Sequence, residues 1–142
     1  MIDAQRQQLE TEVLNYYLPQ NSYRFMDMDT ANPYLLMAAW TNGGNVYTLR
    51  IDLKNYPENK PEAYVTKMLR TKTGALMDGP SATMHTLSSH YGFTQICHYG
   101  PAAWNFKVSL YKVFIKCRLW LEMYELHLKT GKPMDYYLNH ES

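Results

Sequence analysis

The residues best suited to chemistry lie together in one short stretch of the chain, His85 to Trp104. It contains one of the two cysteines and three of the five histidines. Cys97 follows His85 and His90 and directly precedes His98. A cysteine thiolate is a strong nucleophile and a good leaving group, so it suits covalent group transfer. We interpret the stretch as a candidate site with Cys97 as nucleophile and with His85 and His98 as supporting residues.

This stretch shows neither a helical nor a strand period, so we predict an irregular segment between regular elements. Loops carried by a rigid scaffold hold a disproportionate share of functional residues. His90 has no evident partner and is expected to be a solvated loop histidine. Cys117 falls on the apolar side of a predicted helix, where a buried thiol with no chemical role is expected.

Composition limits the classes of function. The chain has 142 residues, 46% of them hydrophobic, which predicts one folded domain spanning residues 1–142. Fourteen basic and 13 acidic residues give a net charge of +1, so charge gives no case for nucleic acid or an anionic membrane as a partner. No zinc-ligand spacing and no glycine-rich phosphate loop is present, so we expect no metal and no cofactor.

The cellular setting is inferred from what the sequence lacks. The first ten residues are polar, which argues against a secretory signal, and the longest apolar run, Tyr34 to Trp40, is too short to span a membrane. Two cysteines do not suggest a disulfide framework. A cytoplasmic, reducing location is therefore expected, where Cys97 stays a thiol.

The first element is a predicted amphipathic helix over residues 3–18, with Asp3 as cap and Pro19 after its end. Its apolar face is expected to comprise Ile2, Leu9, Val13 and Tyr16. Strands are predicted at 23–28, at 34–40 as a strand covered on both faces, at 46–53, and at 63–66. Short turns between them indicate a four-stranded antiparallel meander.

The strand over residues 46–53 has the clearest pattern. Apolar Tyr47, Leu49, Ile51 and Leu53 alternate with polar residues, so they should face a helical layer. Tyr56, Pro57 and Pro61 are expected to form a rigid turn after this strand.

Residues 67–81 are predicted to be loop, and a long helix is predicted from Lys107 to Lys129. Its expected buried stripe is Leu110, Phe114, Cys117, Leu121, Tyr124 and Leu128. Arg118–Glu122 and Glu125–Lys129 are predicted surface ion pairs. Gly131 and Pro133 end the helix, and one more helical turn is predicted at 134–138. The whole order predicts an α+β fold: N-terminal helix, four-stranded meander, irregular site segment and long C-terminal helix.

Three motifs in series resemble those of ubiquitin-conjugating enzymes. The run from Val46 to Pro57, followed by Pro61, resembles their third strand and Tyr-Pro…Pro turn. Gly-Phe-Thr-Gln-Ile-Cys, ending at Cys97, resembles their Gly-x-Ile-Cys motif, and Trp104 follows near the expected place. The resemblance covers most of the chain and implies the UBC-like fold, with a thioester formed at Cys97.

One motif of that family is altered here. Its His-Pro-Asn corresponds to His85-Thr86-Leu87, so the asparagine that helps to stabilise the oxyanion is missing. In the family, the matching histidine bonds the loop backbone, so the resemblance implies a mainly structural role for His85. The departures are similar to those of bacterial relatives that stand alone in anti-phage CBASS operons beside a cGAS-like nucleotidyltransferase. There the resemblance implies action on the C-terminus of that synthase.

Three functions follow as hypotheses. The first is a ubiquitin-conjugating-like transferase that receives a protein C-terminus on Cys97 and passes it to an acceptor protein or small amine. The second is a binding module of the same fold with an inactive site. The third is a Cys–His hydrolase, which needs a base near Cys97 and an acid that orients this base. Trp104 is expected to anchor the site loop to the core.

Overall fold

The fold is a six-stranded antiparallel sheet with helices at both ends of the chain, which confirms the predicted α+β class. It is seen in a computed structural model that describes residues 1–98 and 103–138. The elements are α1 Ala4–Tyr17, β1 Tyr23–Met26, β2 Tyr34–Trp40, β3 Val46–Asp52, β4 Ala63–Val65, β5 Thr86–His90, β6 Phe93–Ile96, α2 Leu110–Thr130 and α3 Asp135–Leu138.

The bounds predicted for the first helix are confirmed to within one residue, but its predicted apolar face is confirmed only in part, with Ile2 buried and Val13 half-buried. Asp3 caps α1 by accepting a hydrogen bond from the Arg6 N–H at 2.7 Å. Leu9 and Tyr16 are exposed, whereas Leu14 and Glu10 are buried. The Glu10 carboxylate is bonded by other parts of the chain, and this sets the rotation of the helix.

The strand order β1-β2-β3-β4-β6-β5 confirms the meander of β1 to β4. The predicted strand count is wrong, because β5 and β6 extend the sheet beyond β4. These two strands lie in the segment predicted to be irregular. They form a hairpin whose turn residues, Tyr91 and Gly92, both have positive φ, 61° and 74°. Positive φ at both central positions matches the twist of paired strands.

The sequence pattern hides this hairpin because its buried positions are polar. The buried Thr94 hydroxyl donates to the Met77 carbonyl at 3.0 Å and accepts from the Leu69 N–H at 2.9 Å. The Thr86 hydroxyl donates to the Gly79 carbonyl at 2.8 Å. The preceding loop thus supplies the hydrogen-bond partners that let polar side chains occupy strand interiors.

The alternation predicted for β3 is confirmed: Tyr47, Leu49, Ile51 and the following Leu53 are buried. The prediction that β2 is covered on both faces is wrong. Leu35 and its alternate neighbours are fully buried, but the other face is only half-buried. On that outer face the Arg50 guanidinium lies 3.8 Å from the centre of the Tyr34 ring.

The long helix starts three residues later than predicted. Ser109 caps α2, and Gly131 ends it in the left-handed conformation with φ 77°. The predicted buried stripe is confirmed except for Leu128, which is exposed. His127 is buried in its place, since its ring bonds the Lys72 N–H and the Lys132 carbonyl.

Of the two predicted surface ion pairs, Arg118–Glu122 is confirmed at 3.3 Å. The Glu125–Lys129 prediction is wrong, because the Glu125 carboxylate instead accepts hydrogen bonds from Asn45 and Tyr47, at 2.8 and 2.9 Å. Glu125 therefore connects α2 to the β2–β3 hairpin.

The last predicted helical turn is confirmed as α3. The fully buried Met134 precedes it, and the Asp135 N–H donates to the Thr83 carbonyl at 2.7 Å. α3 is therefore held against the segment that leads into β5. Within residues 1–98 and 103–138, no helix is both long and apolar enough to cross a membrane.

Candidate functional site

Cys97 lies directly after β6 and is partly exposed. Its backbone N–H donates to the His85 carbonyl at 2.9 Å. This bond continues the β5–β6 ladder, in which Thr86 faces Ile96, by one residue. The structure thus places Cys97 and His85 directly opposite each other, which adjacent strands separate by about 5 Å.

The same register places a carboxylate on the other side of Cys97. Ala63 of β4 faces Ile96, so Glu62 lies next to Cys97 across that pair of strands. Ile96 is in the core, and side chains alternate along a strand, so Cys97 follows on the opposite side of the backbone. By this register the backbones of Glu62 and His85, which directly precede β4 and β5, lie on the two sides of Cys97 along the sheet.

His85 is held at three points. Its φ of 52° is left-handed, and its carbonyl accepts hydrogen bonds from the Cys97 N–H and from Trp120 Nε1, each at 2.9 Å. Its ring Nε2 lies 3.0 Å from Asp135 Oδ1. The two carbonyl bonds do not depend on the histidine side chain, and its ring contacts a carboxylate, so the structural role that the family resemblance implies for this side chain stays a prediction.

Asp135 has no counterpart in the sequence argument. It is 50 residues from His85 in the chain, and only the docking of α3 brings the two together. An acidic residue after Pro133 has no spacing or motif that connects it to a histidine in a hairpin. The sequence therefore gave no signal for this contact.

His98 is a neutral imidazole at physiological pH. Burial lowers its pKa to about 4, and the charges of Lys60 and Lys116 act in the same direction, while a backbone hydrogen bond at Ile96 opposes them. A neutral imidazole can accept a proton or polarise a carbonyl. However, His98 directly follows Cys97, and in extended backbone the side chains of neighbouring residues point to opposite sides.

The two remaining candidates do not join the site. Cys117 is fully buried in α2, as predicted, and burial raises the pKa of its thiol. His90 is exposed, as predicted, but in a strand rather than a loop, and its ring meets Tyr64 edge-on at 6.1 Å. Cys97 is thus the more accessible of the two thiols.

Trp104 anchors the chain after the site, which confirms its predicted role. Its Nε1 donates to the Pro57 carbonyl at 3.2 Å, and its ring meets Tyr56 edge-on at 5.9 Å. Residues 99–102 of the predicted site segment lie outside the described residues.

A polar cavity of about 150 Å³ lies on the outer face of the sheet and was missed by sequence reasoning. Glu62, Lys60 and Asp52 are among its lining residues. Tyr91 reaches across the sheet to it, with its ring 4.2 Å from the Arg50 guanidinium and its hydroxyl 3.2 Å from Asp52. The β5–β6 turn that carries Tyr91 was not predicted, so neither was this cavity.

The described part of the chain contains no group of three His, Cys, Asp or Glu residues placed to hold a metal ion. The groups that register and contacts bring together at this end of the sheet are the Cys97 thiol, the His85 imidazole and the Asp135 carboxylate. Such a set supports nucleophilic attack and proton transfer.

Comparisons with protein-family models, curated proteins and solved structures find no match to this chain. Fold and site define an α+β protein with a partly exposed thiol opposite a histidine that an aspartate holds. The resemblance to ubiquitin-conjugating enzymes stays a prediction.

Proposed function

We propose that the chain is a ubiquitin-conjugating-like acyltransferase of UBC-like fold that carries an acyl group as a thioester on Cys97. The observation that supports this most directly is the bond between the Cys97 N–H and the His85 carbonyl. This bond holds the backbone of a partly exposed cysteine directly after β6 and opposite His85, whose ring contacts Asp135. Cys117, the other thiol, is fully buried.

The donor in this proposal is a protein with an activated C-terminus, such as a cGAS-like nucleotidyltransferase in bacterial anti-phage defence. The acceptor is a second protein or a small amine, and the reaction takes place in the cytoplasm. Donor, acceptor and setting come from the motif resemblance at Cys97 and Trp104. A net charge of +1 supports protein partners over nucleic acid or membrane.

The residue that stabilises the oxyanion differs from the family's asparagine. Thr86, adjacent to the altered motif, is 3% exposed and its hydroxyl already donates to Gly79. The His85 Nε2 is engaged by Asp135. We assign the stabilisation of the oxyanion to backbone N–H groups around Cys97. One such donor typically contributes about 3–4 kcal/mol to transition-state stabilisation.

The test is adduct trapping on the full chain. Cys97→Ser or Cys97→Lys protein, expressed with its operon neighbours, should carry a stable ester or isopeptide adduct visible by mass spectrometry. The parent should carry an adduct released by a thiol reductant, and Cys117→Ala should behave like the parent. Absence of any adduct on all of these proteins would refute the transferase.

A hydrolase is a second candidate, because the His85–Asp135 pair supplies the base and orienting acid that such an enzyme needs. The transferase and the hydrolase differ in the product that they release from Cys97. A transferase discharges the Cys97 adduct faster when an amine acceptor is added, whereas a hydrolase discharges it to a free carboxylate at a rate independent of added amine. An inactive binding module would form no adduct.

A further inference from the structure

We propose that His85 accepts the proton of the Cys97 thiol and that Asp135 is the residue that positions His85 for this transfer. The inference rests on the proposed role of Cys97 as nucleophile and adds the acid-base partners of that site. The three residues come from three places in the fold: Cys97 lies directly after β6, His85 directly before β5, and Asp135 at the start of α3.

The backbone of His85 is fixed relative to Cys97. The two residues are opposite in the ladder and share a 2.9 Å hydrogen bond. Trp120, which is 2% exposed, donates to the same carbonyl from the core. His85 has a left-handed φ of 52° and lies in the turn directly before β5. A histidine tolerates this conformation better than most residues.

Asp135 sets which ring nitrogen can act. A carboxylate only accepts hydrogen bonds, so the contact between Oδ1 and Nε2 selects the tautomer with its proton on Nε2. Nδ1 of the neutral ring then carries the lone pair. The same carboxylate stabilises the imidazolium that forms once Nδ1 has taken a proton.

Asp135 is itself fixed rather than carried on a loose end. Its N–H donates to the Thr83 carbonyl, two residues before His85. The preceding Met134 is fully buried in the core. The aspartate and the histidine are thus attached to the same stretch of backbone, and a small shift of that stretch moves both.

Acyl transfer to Cys97 involves one proton transfer, one bond formed and one bond broken. The thiol proton moves from Cys97 Sγ to His85 Nδ1, and the thiolate adds to the carbonyl carbon of an activated acyl donor, a thioester or an acyl adenylate. The tetrahedral intermediate expels the donor's leaving group and the C–S bond to Cys97 remains. A departing thiolate takes the proton from His85 Nδ1, whereas with AMP as leaving group that proton passes to solvent. Asp135 stays ionised throughout.

Other charged groups lie around Cys97, and their influence on the reactivity of its thiol must be distinguished from that of Asp135. Glu62 flanks it on the β4 side, His98 follows it, and Lys60 and Lys116 act on His98. A nearby negative charge disfavours the thiolate. If Asp135 acted only through its charge, its removal would make Cys97 more reactive. The proposal requires the opposite sign.

The experiment is the rate of Cys97 alkylation by iodoacetamide between pH 5 and 10, read by peptide mass spectrometry on the full chain. Asp135→Asn and His85→Gln should each slow alkylation at pH 7 by about tenfold and move the inflection upward by roughly one pH unit. Asp135→Glu should restore most of the rate. Glu62→Gln, which removes a negative charge on the other flank, should raise the rate. Glu12→Gln, the control, removes an exposed carboxylate of α1 and should leave the rate unchanged.

Parent-like alkylation by Asp135→Asn, or faster alkylation, would overturn the inference. Melting temperatures guard against simple unfolding: a slow but folded Asp135→Asn supports the pair, and failure of Asp135→Glu to rescue a folded protein counts against it. The readout needs no acyl donor. A shifted alkylation profile without any trapped adduct would reject the proposed transferase while retaining the pair.

Discussion

At the scale of single residues, the two cysteines show how placement decides chemistry. Both are free thiols, yet Cys97 lies partly exposed after a strand and Cys117 is fully buried in a helix. Burial in an apolar site raises the pKa of the Cys117 thiol, so at neutral pH it is a small hydrophobic side chain. Of the two cysteines, Cys97 is therefore the one to which we assign thiol chemistry.

Replacing Cys117 tests this division. Cys117→Ala should lower the free energy of unfolding by about 1 kcal/mol, because it removes one buried sulfur atom from the core. It should leave iodoacetamide labelling of Cys97 unchanged. Urea unfolding and peptide mass spectrometry measure the two effects. Lost labelling at Cys97 in a folded variant would assign Cys117 a part in the site.

His98 should make stability depend on pH. Its folded-state pKa of about 4 lies below the ordinary value of 6.5, so between these values the unfolded chain binds a proton that the folded chain does not. Its contribution is intact above pH 6.5 and is lost as pH falls toward 4, by up to about 3 kcal/mol. Urea unfolding at pH 7, 5.5 and 4.5 should show this loss.

The matched variants isolate His98 from other titrating groups. His98→Gln should weaken the dependence on pH in this window, whereas His90→Gln, at an exposed histidine, should retain it. Equal slopes for the parent and His98→Gln would show that the ring is not held neutral by the fold.

At the scale of elements, one buried ion pair joins the two long helices to the turn after β3. Glu10 Oε2 accepts from Arg6 Nε at 2.9 Å, and Oε1 accepts from the Leu110 N–H, at the start of α2, at 2.7 Å. Arg6 also donates to the Tyr56 hydroxyl at 2.7 Å, which donates to the Val108 carbonyl at 2.8 Å. This network replaces the apolar contact that amphipathic patterning predicted for α1.

Removing Glu10 should therefore cost more than an ordinary surface change. Glu10→Ala leaves the Arg6 guanidinium and the Leu110 N–H without their carboxylate, which typically costs about 3–5 kcal/mol when the group is buried. Glu12→Ala, two residues away and exposed, should stay within about 0.5 kcal/mol of the parent. Thermal unfolding of the two variants makes the comparison. Equal losses would mean that the pair contributes little to stability.

At the scale of the whole molecule, the sequence predicted the elements that have a clear apolar period. Apolar patterns with cap and turn residues predicted the fold class, β1 to β4, α1, α2, α3 and the buried Cys117. The role of Cys97 as nucleophile stays a prediction. The β5–β6 hairpin could not be predicted, because three of its four buried residues are polar, and the two threonines among them bond the loop before the hairpin. Asp135 and the cavity beside Glu62 depend on contacts between distant segments, which period and motif do not record.

The docking of α3 should be as important to the whole molecule as a core strand. Met134→Ala should lower the free energy of unfolding by about 2–5 kcal/mol, because its fully buried side chain fills space among core residues. Tyr136→Ala, at a 60% exposed position within α3, should cost much less. Urea unfolding distinguishes them. A small loss for Met134→Ala would show that α3 contributes little to the core.

The hydrogen bond from Trp120 to the His85 carbonyl gives the protein an internal optical probe. Indole emission responds to the hydrogen bond and the polarity at its ring nitrogen, and this nitrogen is one carbonyl away from the Cys97 N–H. With Trp40 and Trp104 replaced by phenylalanine, the remaining tryptophan emission would come from Trp120 alone. Loading of the thiol could then be followed in real time, without label or substrate analogue, from inside the core.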